Sequence, residues 1–131
     1  MLPRKNRLTG NRDFKRVFAN GKTVVNKLLV LKVLQKSGEL ASRFAFSASA
    51  KFRKSVNRNR AKRLLRETVR LAMSRIQPFG FDAVMIARPL LRETHFDEVS
   101  ANVEDALRKA GLLIEPAKIE DSGDSTTKNR E

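Results

Sequence analysis

The sequence predicts a single α/β domain, an α-β sandwich with elements in the order α-β-β-β-α-β-α. Three observations carry that expectation. Segments whose apolar residues recur at every second position alternate along the chain with segments spaced at three and four. At 131 residues, 40% of them hydrophobic, the chain can fill one core but not two comfortable ones. Beyond residue 114 apolar residues become scarce, and residues 115–131 carry three basic and five acidic side chains around Asp121-Ser122-Gly123-Asp124-Ser125-Thr126-Thr127. A folded region is therefore expected over residues 1–114 and a disordered polar tail over 115–131.

Taken in order, Thr9 or Asn11 can cap a first helix that runs to about Asn20, with Phe14, Val17 and Phe18 at helical spacing and Gly21 as the stop signal. Phe14 and Phe18 then share a face. Thr23 to Asn26 form a short strand or the start of the next one. Leu28 to Gln35 and Arg43 to Ala50 read as strands, with Ser37-Gly38-Glu39 as the turn between them, so an antiparallel pair is the simplest expectation. The second of these places Phe44, Phe46 and Ala48 on one face and Ala45, Ser47 and Ser49 on the other, one side suited to a core and the other to water or a ligand.

The longest helix is expected from about Asn57 to Ile76, ahead of Pro78 and Gly80. Ala61, Leu65, Val69, Ala72 and Ile76 make its apolar stripe, while Lys62, Arg63, Arg66 and Arg70 gather on an adjoining arc. Phe81 to Ala87 is a short apolar strand stopped by Pro89. Phe96 to Ala110 is an amphipathic helix that turns Val99, Val103, Ala106 and Leu107 inward and closes at Gly111. The long helix is thus expected to cross between two strands of one sheet.

Composition excludes several chemistries. The chain has no cysteine, which removes disulfides, thiolate metal sites and cysteine nucleophiles. Its one histidine, His95, sits in Glu93-Thr94-His95-Phe96-Asp97, a polar approach to a helix with no partner for acid or base work. Neither a metal-ligand cluster nor a glycine-rich phosphate loop is present in the sequence, and Asp97, Glu98, Glu104 and Asp105 read as surface charges. The basic residues of Met1 to Gly10 are not followed by an apolar run of signal-peptide length, and Leu28 to Leu34 is interrupted by Lys32. The expectation is a cytoplasmic protein without a membrane span.

Charge points to the partner. Lysine and arginine number 28 against 14 acids, a net charge of +14, and residues 1–114 alone carry +16. Between Lys51 and Arg66 eight of sixteen residues are basic and none is acidic. Arg58, Lys62, Arg66 and Arg70 repeat at i, i+4, a spacing at which like charges destabilise a helix, so a polyanion is the expected compensation. Arginine and asparagine together at a helix start supply planar donors for phosphates, sugars and base edges, a mixture suited to structured RNA. Phe14 and Phe18, with Ser47 and Ser49, could form a second surface on which unpaired bases stack, or the rings could be ordinary core.

The residues also carry a resemblance to the protein subunit of bacterial ribonuclease P. It rests on Arg58-Asn59-Arg60 followed by Lys62-Arg63 and Leu65-Arg66-Glu67, on Phe46-Ser47-Ala48-Ser49 with Lys51, on Arg12-Asp13-Phe14 with Val17-Phe18, and on Val84-Met85-Ile86-Ala87-Arg88-Pro89. It covers about residues 7–113. The resemblance implies a ribonucleoprotein endonuclease that removes the 5′ leader from precursor tRNA, in which the RNA subunit performs magnesium-dependent hydrolysis and the protein alone is inactive. It implies that Lys54, Arg58, Asn59, Arg60, Lys62, Arg63 and Arg66 meet the catalytic RNA, and that Arg12, Phe14, Phe18, Lys32, Ser47, Ser49 and Lys51 meet the leader in a cleft between sheet and first helix. It further implies a left-handed βαβ crossover, where general topology would favour the right-handed form, and a monomer within a 1:1 ribonucleoprotein.

Ala45 and Arg53 stand where the family usually has glycine, Ala50 where a lysine is common, and Lys32 where an aromatic residue is frequent. A cation at position 32 in place of a ring would shift leader binding from base toward phosphate contact. The competing readings are a general structured-RNA-binding module without a cleavage partner, a DNA-binding helix, and a membrane-surface helix. The last two are disfavoured by the missing helix-turn-helix pattern and by the absence of tryptophan and tyrosine anchors.

Overall fold

The structure is a computed structural model that describes residues 2–36 and 40–114. The turn expected at Ser37-Gly38-Glu39 and the tail expected over 115–131 lie outside the described residues. The elements are α1 (Asn11–Asn20), β1 (Lys22–Val25), β2 (Leu29–Gln35), β3 (Arg43–Ala48), α2 (Ser55–Ala72), β4 (Phe81–Ala87) and α3 (Phe96–Lys109), in the predicted order.

The strands form one sheet in the order β1-β2-β4-β3. Here the expected hairpin between Leu28–Gln35 and Arg43–Ala50 is corrected, because β4 lies between the two strands, antiparallel to β2 and parallel to β3. The reason is burial. Six of the seven residues of β4 are buried, so this run needs neighbours on both edges and cover on both faces, whereas β3 carries Ser47 and tolerates the sheet edge. Parallel neighbours cannot be joined by a tight turn, and α2 supplies the crossover from β3 to β4.

Alternation along the strands divides two cores. Leu29, Leu31 and Val33 of β2, Phe44 of β3 and Met85 of β4 face α2 and α3, which contribute Ala61, Leu65, Val69, Val99, Val103 and Leu107. The opposite face holds a smaller cluster of Leu8, Val17, Ala45 and Val84 under α1, with Phe14, Leu34 and Ile86 packed against it. The predicted stripe of the long helix is buried throughout, although Ile76 lies past its end, beyond a short 3-10 turn.

The helix ends follow backbone geometry more than side-chain caps. Neither Thr9 nor Asn11 caps α1: Gly10 is the N-cap, no side chain bonds the free amides, and Asn11 is already inside the helix. Gly21 stops α1 because nothing larger fits. A Cβ there would stand 2.6 Å from the Val17 carbonyl oxygen and 2.9 Å from that of Val33. At the end of α3, Gly111 has φ +76°, and the amides of Gly111 and Leu112 donate to the carbonyls of Arg108 and Leu107, closing the last turn from outside.

Candidate nucleic-acid interface

Two surfaces meet at β3. The first is the outer side of α2, opposite its buried stripe. Lys54, Asn59, Arg60 and Arg63 are exposed, and Arg58, Lys62 and Arg66 are half-buried on the flanks. Arg60, Arg63 and Arg66 line a shallow groove of about 390 Å³ with Leu64 and Glu67. The run of like charge is less unrelieved than its spacing suggests. Arg70 donates twice to the Glu67 carboxylate, at 2.9 and 2.5 Å, and that contact holds the carboxyl below its ordinary range. Arg58 donates to the Phe52 carbonyl at 2.9 Å, tying the loop before α2 to the helix, and Arg66 lies over the Phe46 ring. Lys54, Arg60, Lys62 and Arg63 have no ion pair among the described residues.

Elsewhere opposite charges find each other. Lys27 pairs with Glu98 at 2.7 Å, Arg75 with Glu104 at 2.8 Å and Lys109 with Asp105 at 3.2 Å, so three of the four α3 acids expected on the surface are engaged there. On α3 the acids thus offset neighbouring cations, while the outward cations of α2 carry no such counter-charge among the described residues.

The second surface is the sheet face that α1 only partly covers. Register sets Thr23, Lys32, Val84 and Ala45 in one row across the four strands, and Val25, Val30, Ile86 and Ser47 in the next. α1 sits on the first row and leaves much of the second as a shelf, with Val25 55% exposed. Phe14 and Phe18 stack at 5.0 Å between ring centroids, Phe14 half-buried and Phe18 40% exposed. The two earlier readings of these rings thus divide between them: Phe14 packs and Phe18 presents a face. The Lys32 ammonium lies 5.4 Å from the Phe18 centroid and donates to the Thr23 hydroxyl at 3.0 Å.

Phe14, Phe18 and Lys32 therefore form one cluster. Ser47 lies two strands from Lys32, about 10 Å across the sheet. Ser49 accepts a hydrogen bond from the Lys51 amide at 3.1 Å and so shapes the turn that leaves β3, with the Lys51 side chain exposed. Arg12 is exposed on α1 with no bond to the cluster.

What fixes α1 over the sheet is a network that sequence reasoning missed. Arg43 donates to both Asp82 oxygens, at 2.9 and 2.8 Å, and to Asp13 of α1 at 3.1 Å, while Lys36 lies 3.0 Å from Asp82. Burial alone would push the Asp82 carboxyl up, but hydrogen bonds from Arg43 and Lys36 and their charges hold it below its ordinary value. Hydrogen bonding to Asp82 raises Arg43 in turn. An acid inside the otherwise apolar run Phe81–Ala87 was the available signal. The N-terminal segment was missed as well: the Leu8 amide donates to the Phe44 carbonyl at 2.8 Å and Arg7 bridges to Phe44 in parallel, which no periodicity announced.

Among the described residues no three His, Asp or Glu side chains are grouped to hold a metal, and no helix is long and apolar enough to cross a membrane.

A protein family described as Ribonuclease P matches residues 2–111 of the chain. The chain belongs to the ribonuclease P protein family. It is 38% identical to the ribonuclease P protein component of Caldanaerobacter subterraneus over 88% of this chain and 97% of that protein. With the component of Symbiobacterium thermophilum identity is 40%, over 82% and 92%. Among solved structures the ribonuclease P protein from Thermotoga maritima is similar at a TM-score of 0.69 and 33% identity, covering 79% of this chain and 96% of that one. A ribonuclease P protein is an RNA-binding subunit in tRNA processing, with a ribonuclease P RNA as partner and precursor tRNA as substrate.

Proposed function

We propose that this ribonuclease P protein works as two RNA-binding surfaces held at a fixed angle by one sheet. The outer face of α2, through Lys54, Arg58, Asn59, Arg60, Lys62, Arg63 and Arg66, neutralises backbone phosphates of the catalytic RNA. The shelf beneath α1, with Arg12, Phe14, Phe18, Lys32, Ser47, Ser49 and Lys51 around it, holds the 5′ leader of precursor tRNA. The observation that carries this reading is the segregation of charge. Acids pair with cations on α3 and around Asp82, while the outward cations of α2 are left for a polyanion.

The chemistry belongs to the RNA subunit, and magnesium is its ion. Among the described residues the carboxylates do not fit a resident magnesium: no three are grouped to hold a metal, Asp13 and Asp82 are engaged by Arg43 and Lys36, and Glu67 by Arg70. No proton or phosphoryl step is assigned to a side chain. What the protein contributes is affinity and counter-charge, which raise substrate binding and lower the magnesium the RNA requires. The working unit is one protein per RNA in the cytoplasm, with residues 1–114 as the RNA-binding domain.

A salt titration of binding tests the assignment. The protein should bind a bacterial ribonuclease P RNA more tightly than an unrelated structured RNA of equal length at every salt concentration, with log affinity falling linearly against log salt. Equal affinity for both RNAs would overturn it in favour of a general structured-RNA module.

A further inference from the structure

A groove of about 520 Å³ runs along the outer edge of β3, between the N-terminal segment and α2. Leu8, Phe14, Phe44 and Phe46 give it an apolar and aromatic lining, no acidic residue lines it, and Arg66 and Arg7 stand in its wall, the Arg7 Nε donating to the Leu2 carbonyl at 2.9 Å. Its fourth component is main chain. The Ser49 amide donates to the Ala87 carbonyl at 2.9 Å, so the odd-numbered residues of β3 turn their backbone toward β4, and Phe44, Phe46 and Ala48 turn theirs outward. Phe44 is met there by Leu8. The chain then leaves for α1 at Gly10, and the outward amides and carbonyls of Phe46 and Ala48 face an edge with no strand among the described residues.

Ring surface, main-chain donors and acceptors, and guanidinium groups are the three things an unpaired nucleotide uses: a face to stack on, partners for its base edge, and cations for its phosphate. We propose that this groove takes one unpaired nucleotide of the RNA that α2 binds, its phosphate toward Arg66 and Arg7 and its base edge toward the Phe46 and Ala48 main chain. Charge decides the occupant, since a neutral peptide would gain nothing from two arginines and a second copy of this chain, at +14, would be repelled, whereas every nucleotide carries a phosphate. Arg66 decides the source. It lines both this groove and the groove on the outer face of α2, so a strand tracking α2 reaches the edge without leaving the protein. This inference rests on the assignment of α2 to the catalytic RNA, and adds a point at which the protein reads a base.

The test uses the whole chain, isotope-labelled, titrated with each of the four nucleoside monophosphates and with ribose 5-phosphate while the amide signals of Phe46 and Ala48 are followed. Saturable shifts at both amides that differ among the bases and are absent with the sugar phosphate are expected. No shift, or the same shift with ribose 5-phosphate, overturns the inference, and so does a shift that appears with protein concentration alone, which would mean a second copy occupies the edge. Thr9→Trp, at an exposed position on the groove wall, fills the space without changing charge. It should weaken binding of ribonuclease P RNA by about tenfold and leave the preference for leader-bearing over mature tRNA unchanged. Unchanged affinity for the RNA subunit, or a lost leader preference, overturns the inference. Arg60→Ala, assayed in parallel, reports on α2 alone, so failure of the helix assignment is seen separately.

Discussion

The guanidinium of Arg66 lies over the ring of Phe46, 5.7 Å from its centroid, and joins the basic helix to the edge of the sheet. A side chain that packs on one neighbour and faces a ligand on its other side serves folding and binding at once. Arg66→Ala should therefore cost about 0.5–1 kcal/mol of folding stability as well as RNA affinity. Arg60→Ala, exposed and unpaired among the described residues, should leave the denaturation midpoint unchanged and weaken RNA binding about tenfold, the loss of one charge-assisted contact. Denaturant titration and filter binding on the two variants separate these effects.

Phe14→Ala should cost assembly with the RNA subunit less than Arg60→Ala does, because Phe14 packs on the opposite face of the sheet from α2 and meets the β3 groove only as one of its lining rings. It should weaken the holoenzyme's preference for leader-bearing over mature tRNA by about 1–3 kcal/mol, the worth of a stacked base, because the exposed Phe18 ring loses the ring it is stacked against. Competition binding with the two tRNAs measures it. A variant with unaltered preference would remove Phe14 from the leader site.

Lys32 holds the Phe18 face and the Thr23 hydroxyl with one ammonium. Replacing it by a ring, Lys32→Tyr, should lower the salt slope of precursor tRNA binding by about one and make affinity depend more on leader sequence. Binding of leaders of different sequence at two salt concentrations gives both quantities. A salt slope equal to that of the unaltered protein would mean that Lys32 touches no phosphate.

The Asp82 carboxyl is held below its unfolded value, so it stabilises the fold fully above the ordinary carboxylate pKa of about 3.9 and loses that contribution as pH falls through its lower folded value. Asp82→Asn should cost about 3 kcal/mol at pH 7, because Arg43 and Lys36 are left without their shared anion. The variant should then show a smaller further loss on acidification than the parent. Denaturation midpoints between pH 7 and pH 3 decide the matter, and a variant as stable as the parent at pH 7 would deny Asp82 its role.

Much of this was legible because periodicity is a local signal. The buried stripe Ala61-Leu65-Val69-Ala72, the strand Phe81–Ala87 and the inward face of α3 follow from spacing alone. Strand order was not legible, since the nearest strands in sequence suggest a hairpin and only the two-sided burial of Val84 and Met85 places β4 between them. Of the interface, α2 could be read because its charge lies in one continuous run. The approach of Lys32 to Phe18 and of Arg66 to Phe46 depends on register and on helix placement, which no local pattern encodes. Asp82 was passed over because an acid in a strand has no meaning until its partners, Arg43 and Lys36, are known to converge on it from other segments.

The role proposed for the two surfaces is to let the ribonuclease P RNA work with less magnesium. It is tested most directly by mixing the purified protein with a bacterial ribonuclease P RNA and labelled precursor tRNA, at magnesium too low for the RNA alone, and measuring release of the 5′ leader. Cleavage that requires both protein and RNA is the predicted result. Tight binding of the RNA with no gain in cleavage would contradict the account.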